Sequence, residues 1–504
     1  MLGEDLRLTL GWVAEAVGGL IRSGNRGGEI GNIVTDTRTL QPGDFFIALR
    51  GARFDAHEFV GEAFDRGAIG AIVETEFAGS ASASAKATAD RSRNPADEGT
   101  GGSAEIDARR AGSAERTRQG QGLIEVKDTT KALQDLAHAV RKASGTKVVA
   151  ITGSAGKTTT KEAIAEFLSG RFRVVKNKGN LNNHIGLPLS LLQLRERPDV
   201  AVMELGMNHA GEISTLVAIA EPETRVWTNV GDAHIGFFAS PDAIADAKAE
   251  ILERAERTHV LVCNADDGRV MSRARAFAGR TVPFGTAAGA EVRASEVENL
   301  GIEGMRARVI TPAGERVLHT PLLGRGNLAN VLAATAVALT FNVPLDDVAA
   351  AAERLRPADR RGAIRRLRGG IVLIDDSYNS SPSALAAALD VIGREARVSR
   401  KVAVLGEMLE LGEHALALHR ASGKAAAAAG LRLLFAIGGQ PARALADAAI
   451  EAGMPASAVR YAEKSELAAR DITAAVKAGD LVLVKGSRGT RTDIVADRIA
   501  AEFA

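Results

Sequence analysis

Short runs of branched aliphatic residues recur along most of the chain, separated by turn residues and by helix-like patterns. From Lys147 onward strand, turn and helix alternate, which is typical of a mainly parallel sheet covered by helices on both faces. The predicted strands of this series are Val148–Thr152, Val200–Leu205, Arg225–Asn229 and His259–Cys263. A second series begins after Pro357, with predicted strands at Ile371–Ile374, Val402–Leu405, Leu433–Ile437 and Leu481–Val484.

The segment before Lys147 mixes strands with turns on a smaller scale. Strands are predicted at Asp44–Leu49, Ala71–Val73 and Leu123–Val126, and a helix at Phe59–Asp65. Because 504 residues exceed what one core usually supports, we predict three domains, at residues 1–140, 141–356 and 357–504. The predicted fold class is α/β, with a small α/β N-terminal domain, a central domain on a mainly parallel sheet and a Rossmann-like C-terminal domain.

The stretch from residue 78 to residue 121 interrupts the first of these domains. Ala, Ser, Gly, Arg and Glu dominate it, and Ile106 is its only large aliphatic residue. Such a composition cannot bury enough apolar surface to offset the entropy lost on ordering. We predict a disordered surface insertion, with a ligand-gated lid as the alternative.

Composition narrows the class of protein. Apolar residues make up 46% of the chain, charged residues 25%, and the formal net charge is +1 without a basic block, which argues against a nucleic-acid or membrane-surface partner. The chain has a single cysteine, Cys263, so it cannot form a disulfide within itself. We predict that Cys263 is a buried thiol in the core. We find neither a secretory signal nor an apolar run of about 18 residues, which favours a cytoplasmic enzyme without membrane insertion.

A glycine-containing loop between the first predicted strand of the central domain and the next helix carries the clearest chemistry. Its backbone N–H groups and the helix N-terminus would face phosphate oxygens, with a lysine for the β- and γ-phosphates and a threonine hydroxyl for Mg²⁺. The general pattern has glycine where this chain has Ile151, so the motif is the shorter form. The loop residues are Gly153, Ser154, Ala155, Gly156, Lys157, Thr158 and Thr159.

The helix after this loop is predicted from Thr158 to Leu168 and is amphipathic. Its apolar face is formed by Ile164, Phe167 and Leu168, whereas Lys161, Glu162 and Glu166 lie elsewhere on the helix. An ordinary glycine turn is the alternative for the loop, but the strand–loop–helix context favours nucleotide binding.

Three further residues follow strands of the central sheet, where parallel sheets place ligands. Glu204 ends a strand, His234 lies in the loop after Asn229, and Lys248 falls on the apolar stripe of a helix predicted at Pro241–Arg254. Taken singly, Glu204 could cap a helix, His234 could be a hydrogen-bonded loop histidine and Lys248 a snorkelling side chain. Around one phosphate loop they indicate ligands for Mg²⁺ and the γ-phosphate.

Taken together, the motifs resemble the Mur ligase family of ATP-dependent amide-bond-forming enzymes. The resemblance covers the chain outside the insertion. The matching motifs are Thr152–Thr159, Asn177–Pro188, Met203–Gly206, Asn229–His234, Asn264–Asp267, Gly324–Asn330 and Lys485–Arg488. Within the family, Thr35–Arg38, Gly51–Phe59, Asp375–Pro382 and Val404–Gly412 resemble the branch that joins D-alanyl-D-alanine to UDP-N-acetylmuramoyl-tripeptide in peptidoglycan synthesis.

The resemblance implies roles for residues of the central domain. Lys157 and Thr158 would hold phosphates and Mg²⁺, with Glu204 and His234 near two metal ions. Lys248 matches a lysine that CO₂ carbamylates to give an oxygen ligand, and burial would favour the neutral amine that this step needs. Asn327 and Asn330 would face ATP, although Gly326 stands where the family usually has histidine.

The other two domains would bind the two substrates other than ATP, and the third domain would also provide an arginine. The resemblance implies that Arg361, or its neighbour Arg360, is the arginine that the third domain brings to the phosphates. For the UDP-linked tripeptide the candidates are Thr35, Asp36, Thr37, Arg38, Asn182 and Asn183, and for the dipeptide Asp376, Asn379 and the segment Lys485–Arg488. Ser377 and Ser487 are equally consistent with turn and capping roles.

Other functions stay open at this point. One is a different amide ligase of the family, of another muramoyl-peptide or folylpolyglutamate type, although the segment Thr35–Phe59 argues against the latter. Others are a non-catalytic nucleotide-binding scaffold and a P-loop switch or motor. We expect a monomer that binds no nucleic acid.

Overall fold

The computed structural model describes residues 5–51, 54–75, 120–233 and 235–504. Nearly all of the predicted insertion at residues 78–121 lies outside these ranges. The chain forms two compact units, the first comprising Met1–Thr146 with Asn177–Ala201 and the second Lys147–Lys176 with Val202–Ala504.

The first sheet belongs to the first unit. Its strands and the surrounding helices are α1 (Leu10–Ala16), β1 (Leu20–Ser23), β2 (Ile33–Val34), β3 (Phe45–Ile47), α2 (Val60–Asp65), β4 (Gly70–Glu74), β5 (Gly122–Val126) and α3 (Thr129–Ser144). The strand order is β1-β5-β4-β3-β2, parallel except for β1. One face packs on α2 through Phe46, Val60, Ala63 and Val73.

The second sheet carries the phosphate loop. Its elements are β6 (Lys147–Thr152), α4 (Lys157–Ser169), β7 (Val174–Lys176), α5 (Gly186–Leu191), β8 (Val200–Glu204), α6 (Glu212–Ala220), β9 (Thr224–Trp227), α7 (Pro241–Ala249), β10 (Val260–Asn264), α8 (Gly268–Ala274), β11 (Arg280–Gly285), β12 (Val292–Asn299), β13 (Met305–Thr311), β14 (Gly314–Thr320), α9 (Gly324–Thr340) and α10 (Leu345–Arg354). The strand order is β14-β13-β12-β11-β10-β9-β6-β8-β7. Strands β6 and β9 to β12 are parallel neighbours, whereas β13 and β14 extend the sheet as an antiparallel hairpin.

The third sheet completes the second unit. Its elements are β15 (Ala363–Arg366), β16 (Val372–Asp376), α11 (Pro382–Arg394), β17 (Lys401–Gly406), α12 (Ala415–Ala428), β18 (Leu433–Ile437), α13 (Gln440–Glu451), β19 (Val459–Ala462), α14 (Ser465–Ala475), β20 (Leu481–Lys485) and α15 (Asp493–Glu502). The order is β15-β16-β20-β17-β18-β19, parallel except for β15. Val404, Val482, Ile472 and Val495 lie in its buried core.

These sheets confirm the predicted α/β fold class with mainly parallel sheets. Each strand predicted in the two α/β series is present, with ends that shift by one or two residues. Strands such as β6 and β8 are buried along nearly their whole length, which is why they read as continuous apolar runs rather than alternating ones.

The helix predicted at Pro241–Arg254 is shorter than expected. It begins as predicted, with Pro241 at its first turn and the Ser240 hydroxyl accepting from the Ala243 N–H, but α7 ends at Ala249 and a 3₁₀ turn follows. Buried Arg225 donates to the carbonyls of Ile251 (2.8 Å) and Glu253 (3.1 Å). A side chain distant in sequence therefore satisfies carbonyls in the turn that follows α7.

A buried carboxylate connects the β12–β13 turn to the segment after α11. Glu395 Oε2 accepts from the Ile302 N–H (3.1 Å), and the Arg397 guanidinium binds both of its oxygens (2.6 and 2.8 Å). Arg397 also donates to the Leu300 carbonyl (3.1 Å). The arginine hydrogen bond, outweighing burial, lowers the pKa of Glu395 to about 2.

We predict that Glu395→Gln lowers the free energy of unfolding of this unit by about 2 kcal/mol at neutral pH, because charge-assisted hydrogen bonds are lost. The folded pKa lies below the ordinary one, so the contribution is present above about pH 4.5 and disappears as the pH falls towards 2. Urea titrations of both proteins across this pH range measure the difference. Glu303→Gln, which breaks a half-exposed pair with Arg366, is the control and should cost less than about 0.5 kcal/mol. Equal losses in the two variants would contradict the prediction.

Candidate functional site

The phosphate loop leaves the carboxyl end of β6 and turns sharply before α4. Gly153 and Gly156 have φ of 152° and 81°, where side chains are strained. A Cβ on Gly153 would lie 1.9 Å from the Thr228 hydroxyl, and one on Gly156 would lie 2.2 Å from Asn330 Oδ1. Glycine is therefore required at both positions by backbone geometry and by close neighbours.

Neighbouring residues from the end of β9 hold the loop in this shape. The Ala155 N–H donates to Asn229 Oδ1 (2.9 Å) and the Ser154 N–H to the Asn229 carbonyl (3.1 Å). The Thr228 hydroxyl donates to the Ala155 carbonyl (2.7 Å), and the Gly231 N–H donates to the Ser154 hydroxyl (2.8 Å). These supporting roles of Thr228 and Asn229 were not predicted, although Asn229 begins one of the motifs in the sequence.

Two asparagines predicted to face the nucleotide lie at the start of α9. Buried Asn330 contacts Gly156, as described above, and donates to Asn327 Oδ1 (3.1 Å). Asn327 in turn donates to the Leu323 carbonyl one turn earlier (2.9 Å). The structure thus brings Asn330 to the phosphate loop, with Asn327 hydrogen-bonded to it on α9.

The hydroxyl and the carboxylate predicted to bind metal are adjacent. The Thr158 hydroxyl donates to Glu204 Oε2 at 2.7 Å, and Glu204, at the end of β8, is 4% exposed. Thr159 follows in the first turn of α4. A threonine hydroxyl and a carboxylate are hard oxygen donors of the kind that Mg²⁺ prefers.

Two lysines one turn apart on α4 add positive charge beside this pair. Lys157 Nζ donates to the Gly153 carbonyl (2.8 Å). Lys161 is 1% exposed, so the prediction that it lies away from the apolar face of the helix is wrong. Burial lowers the pKa of both lysines, the charge of Glu204 opposes that shift, and the charge of Arg361 adds to it. The four-residue spacing from Lys157 was the signal that could have identified Lys161.

Lys248 lies in α7 and is 1% exposed, as the predicted apolar stripe implied. Burial, with a contribution from the charge of Lys157, lowers the pKa of Lys248 well below its ordinary value. The side chain is therefore a buried amine whose neutral form is favoured, which is the state that reacts with CO₂.

The side chains of the tandem arginines before β15, Arg360 and Arg361, have different neighbours. Arg360 pairs with Asp497 (2.9 Å), and Asp375 and Asp493 lie within 4.0 Å of its guanidinium. Arg361 instead stacks on the Tyr378 ring, with Cζ 4.0 Å from the ring centroid. The charge of Arg361 lowers the pKa of both lysines of α4, whereas the charge of Arg360 is neutralised by the carboxylates around it.

The candidates for the dipeptide meet at the carboxyl ends of β16 and β20. Buried Lys485 donates to Asp376 Oδ2 (2.6 Å) and to the Asn379 carbonyl (3.1 Å). The hydroxyl of Ser377 donates to Asp375 (2.5 Å), and that of Ser487 accepts from the Leu409 N–H (2.9 Å). Lys485, Asp376 and Asn379 therefore form one cluster, while the two serines make turn-stabilising hydrogen bonds.

The candidates for the UDP-linked substrate lie in the first unit. Asp36 pairs with the largely exposed Arg38 (2.6 Å), whose hydrogen bonds lower the pKa of Asp36 to about 2. Thr37 is buried next to them, and Thr35 follows β2. Asn183 accepts from the Gly186 N–H (2.8 Å) and so caps α5, with Asn182 immediately before it. An exposed arginine and polar side chains can bind an anionic, sugar-containing ligand.

His234, predicted near the metal ions, lies outside the described residues. Among the residues that the structure describes, no group of three or more His, Cys, Asp or Glu could hold a metal ion by itself. In the same part of the chain, no helix is long and apolar enough to cross a bilayer.

Comparisons with known proteins agree with this geometry. Residues 151–338 match the Mur ligase middle domain, and residues 360–488 match the family described as Mur ligase, glutamate ligase domain. The UDP-N-acetylmuramoyl-tripeptide–D-alanyl-D-alanine ligase of Bacillus subtilis is 32% identical over 475 residues, which cover 93% of each chain. The Escherichia coli enzyme of the same name is 34% identical over 468 residues, which cover 92% of each.

Solved structures give the same result for the fold. The crystal structure of MurF from Acinetobacter baumannii matches with a TM-score of 0.82 and 29% identity, covering 99% of this chain and 100% of that one. MurF ligase from Thermotoga maritima, solved in complex with ADP, matches with a TM-score of 0.74 and 26% identity over 94% of this chain and 97% of that one. The phosphate loop, the two matched domains and the relatives together show that the chain belongs to the Mur ligase family.

Proposed function

We propose that this chain is an ATP-dependent ligase that joins D-alanyl-D-alanine to UDP-N-acetylmuramoyl-tripeptide, forming ADP and phosphate, in peptidoglycan precursor synthesis. The observation that carries the proposal is the meeting of two sheets at one phosphate loop. Lys157, Thr158 and Glu204 belong to the second sheet, and Ser383, at the start of α11 beside the third sheet, lies next to Gly231, which donates to Ser154 of the loop. The relatives described above supply the identity of the two substrates.

The chemistry divides into two transfers. A carboxylate oxygen of the tripeptide attacks the γ-phosphorus of ATP, the bond to the β-phosphate oxygen breaks, and ADP leaves with that electron pair. The amine of D-alanyl-D-alanine then attacks the carbonyl carbon of the acyl phosphate. Phosphate leaves with the C–O electron pair, and the nitrogen loses a proton as the amide forms.

The protein would contribute mainly position and charge. Backbone N–H groups of the loop bind the phosphates, and Lys157 and Arg361 stabilise negative charge on the transferring phosphoryl group. Lys161 adds a third positive charge beside the same loop. Because burial lowers the pKa of Lys157 and Lys161, an anionic ligand beside them would favour their charged forms.

The residues present fit Mg²⁺. Thr158 and Glu204 are two oxygen donors 2.7 Å apart, and Mg²⁺ usually takes its other ligands from water and from substrate phosphates. Two ions, with Thr158, Glu204, His234 and Lys248 as the residues that would hold them, remain part of the proposal. When bound, the metal would neutralise charge on the phosphate oxygens.

We extend the proposal to carbamylation of Lys248. Its neutral amine would attack CO₂, forming an N–C bond and releasing one proton, and the product is a carboxylate-like group. Burial of Lys248 beside Lys157 supports this step, because the first favours the neutral amine and the second attracts the anion that forms.

The same proposal assigns each substrate to one of the three predicted domains. Residues 1–140, 141–356 and 357–504 would act as the domains for the UDP-substrate, for ATP and for the dipeptide. The Thr35–Arg38 segment with Asn182 and Asn183 would bind the UDP-linked tripeptide. Asp376, Asn379 and Lys485 would bind the dipeptide, and Gly153–Thr159 with Asn327 and Asn330 would bind ATP. A cytoplasmic location is proposed on the ground that the reaction consumes ATP.

Phosphate release with purified protein tests the proposal. With ATP and Mg²⁺, we expect turnover only when UDP-N-acetylmuramoyl-tripeptide and D-alanyl-D-alanine are both present, with an amide product one dipeptide heavier. Replacing the dipeptide by D-alanine, lysine, diaminopimelate or glutamate distinguishes other ligases of the family. Turnover without the dipeptide, or with a single amino acid only, would overturn the assignment, and binding of ATP without any turnover would support a scaffold.

A further inference from the structure

Arg361 differs from its neighbour Arg360 in how its side chain is held. Among the described residues, the Arg361 guanidinium makes no hydrogen bond and no ion pair, and its ring contact is with Tyr378, 4.0 Å from Cζ. Its neighbour Arg360, by contrast, binds Asp497 and lies within 4.0 Å of three further carboxylates. Adjacent arginines thus have opposite environments, one neutralised by carboxylates and one stacked on an aromatic face.

The segment that carries Tyr378 lies beside the phosphate loop. The Tyr378 N–H donates to the Arg360 carbonyl (3.0 Å), which fixes the tyrosine next to the tandem arginines. Further along the same segment, Ser383 Oγ lies 3.2 Å from the position that a Cβ on Gly231 would take, and Ser154 Cβ lies 3.6 Å from that position. Residues of the third sheet and of the phosphate loop therefore share one small region.

The electrostatic situation explains why an aromatic ring suits this position. The charge of Arg361 lowers the pKa of Lys157 and Lys161, so the three cations repel one another. A carboxylate partner would hold the arginine but would cancel the charge that phosphate needs. An aromatic face attracts a cation through its quadrupole and leaves the net positive charge in place.

We infer that Tyr378 is a positioning residue, whose ring holds the unpaired Arg361 guanidinium at the phosphate loop while leaving its charge available to ATP. The inference rests on the proposed function for the role of Arg361, and assigns to Tyr378 a task that acts through that arginine. Arg488, with Cζ 5.7 Å from the same ring, is a second cation on this tyrosine and comes from the loop after β20.

A double-substitution cycle between Tyr378 and Arg361 tests the inference. Tyr378→Phe keeps the ring and should keep kcat within about twofold, whereas Tyr378→Leu should lower kcat about tenfold. In an Arg361→Met background the same Tyr378→Leu change should lower kcat less than about twofold, since no guanidinium is left to hold. If the leucine variant does not fold, Tyr378→Met takes its place in the cycle.

The other tyrosine of the chain provides a matched control. Tyr461 also stacks on an arginine, Arg443 (4.3 Å), in the third sheet, and it is not part of the proposed site. Tyr461→Leu removes a comparable stack and should leave kcat within about twofold. Equal losses in the Tyr378→Leu and Tyr461→Leu proteins would attribute the effect to folding and overturn the inference.

Affinity for a non-hydrolysable ATP analogue, measured by calorimetry, makes the cycle independent of the ligase reaction. We expect Tyr378→Leu to weaken binding about tenfold in the native background and less than about twofold beside Arg361→Met. Effects of the two substitutions that multiply, or a phenylalanine variant as impaired as the leucine variant, would overturn the inference. If the native protein binds the analogue but makes no amide, the proposed function fails, and the binding cycle still decides the role of Tyr378.

Discussion

Lys157→Met is expected to lower kcat by about 10³-fold, with ATP still able to bind through the backbone of the loop. Lys157 stands at the first position of α4, where the helix N-terminus already favours anions, and its amine donates to the Gly153 carbonyl. Methionine has nearly the same length and removes the charge together with the hydrogen bond to Gly153. The loss should therefore appear in the phosphoryl-transfer step, in which charge on the γ-phosphate develops, rather than in folding.

Steady-state kinetics at saturating ATP measure this effect, and thermal unfolding midpoints show that the variant is folded. Lys424→Met, at an exposed position of α12, is the matched control and should keep full activity. A Lys157→Met protein that retained more than about a tenth of kcat would contradict the role given to this lysine.

Lys248→Arg is expected to lower kcat by about 10²-fold, as much as Lys248→Met. If Lys248 acted only as a buried cation, arginine would largely replace it, because arginine keeps the positive charge. In the proposed site the lysine must first be neutral in order to react with CO₂, and a guanidinium cannot take that role. Arginine and methionine should therefore be equally poor substitutes.

Carbamylation itself is measured by ¹³C NMR of protein equilibrated with ¹³C-bicarbonate. A carbamate signal is expected from the native protein and none at that position from either variant. Since burial lowers the pKa of Lys248, the signal should persist at neutral pH, where an exposed lysine is mostly protonated. Retention of most activity by the arginine variant, or absence of the signal in the active native protein, would contradict the carbamate.

Much of the fold followed from local pattern. The parallel strands of the second and third sheets are buried on both faces, so each one is visible as a short aliphatic run. The phosphate loop was equally predictable, because Gly153, Gly156 and Lys157 perform their task through backbone geometry over a few consecutive residues. The pairing of Thr158 with Glu204 was expected from their positions after neighbouring strands.

What the sequence did not predict depends on contacts between distant segments. Lys161 is an exception, because it precedes Ile164 by three residues and Leu168 by seven, so local periodicity already places it on their buried face. The turn that follows α7 is bound by Arg225, 26 residues before the carbonyl that accepts from its Nε. The choice between Arg360 and Arg361 required knowing which of them meets carboxylates and which meets Tyr378.

The account's central claim is that a carboxylate, and not water, takes the γ-phosphoryl group. Tripeptide labelled with ¹⁸O in its reacting carboxylate tests this claim directly, by mass spectrometry of the phosphate released during a reaction with ATP and D-alanyl-D-alanine. The account predicts one ¹⁸O atom in each phosphate and one ¹⁸O left in the new amide. Phosphate that carries no label, with both ¹⁸O atoms still in the tripeptide, would contradict it.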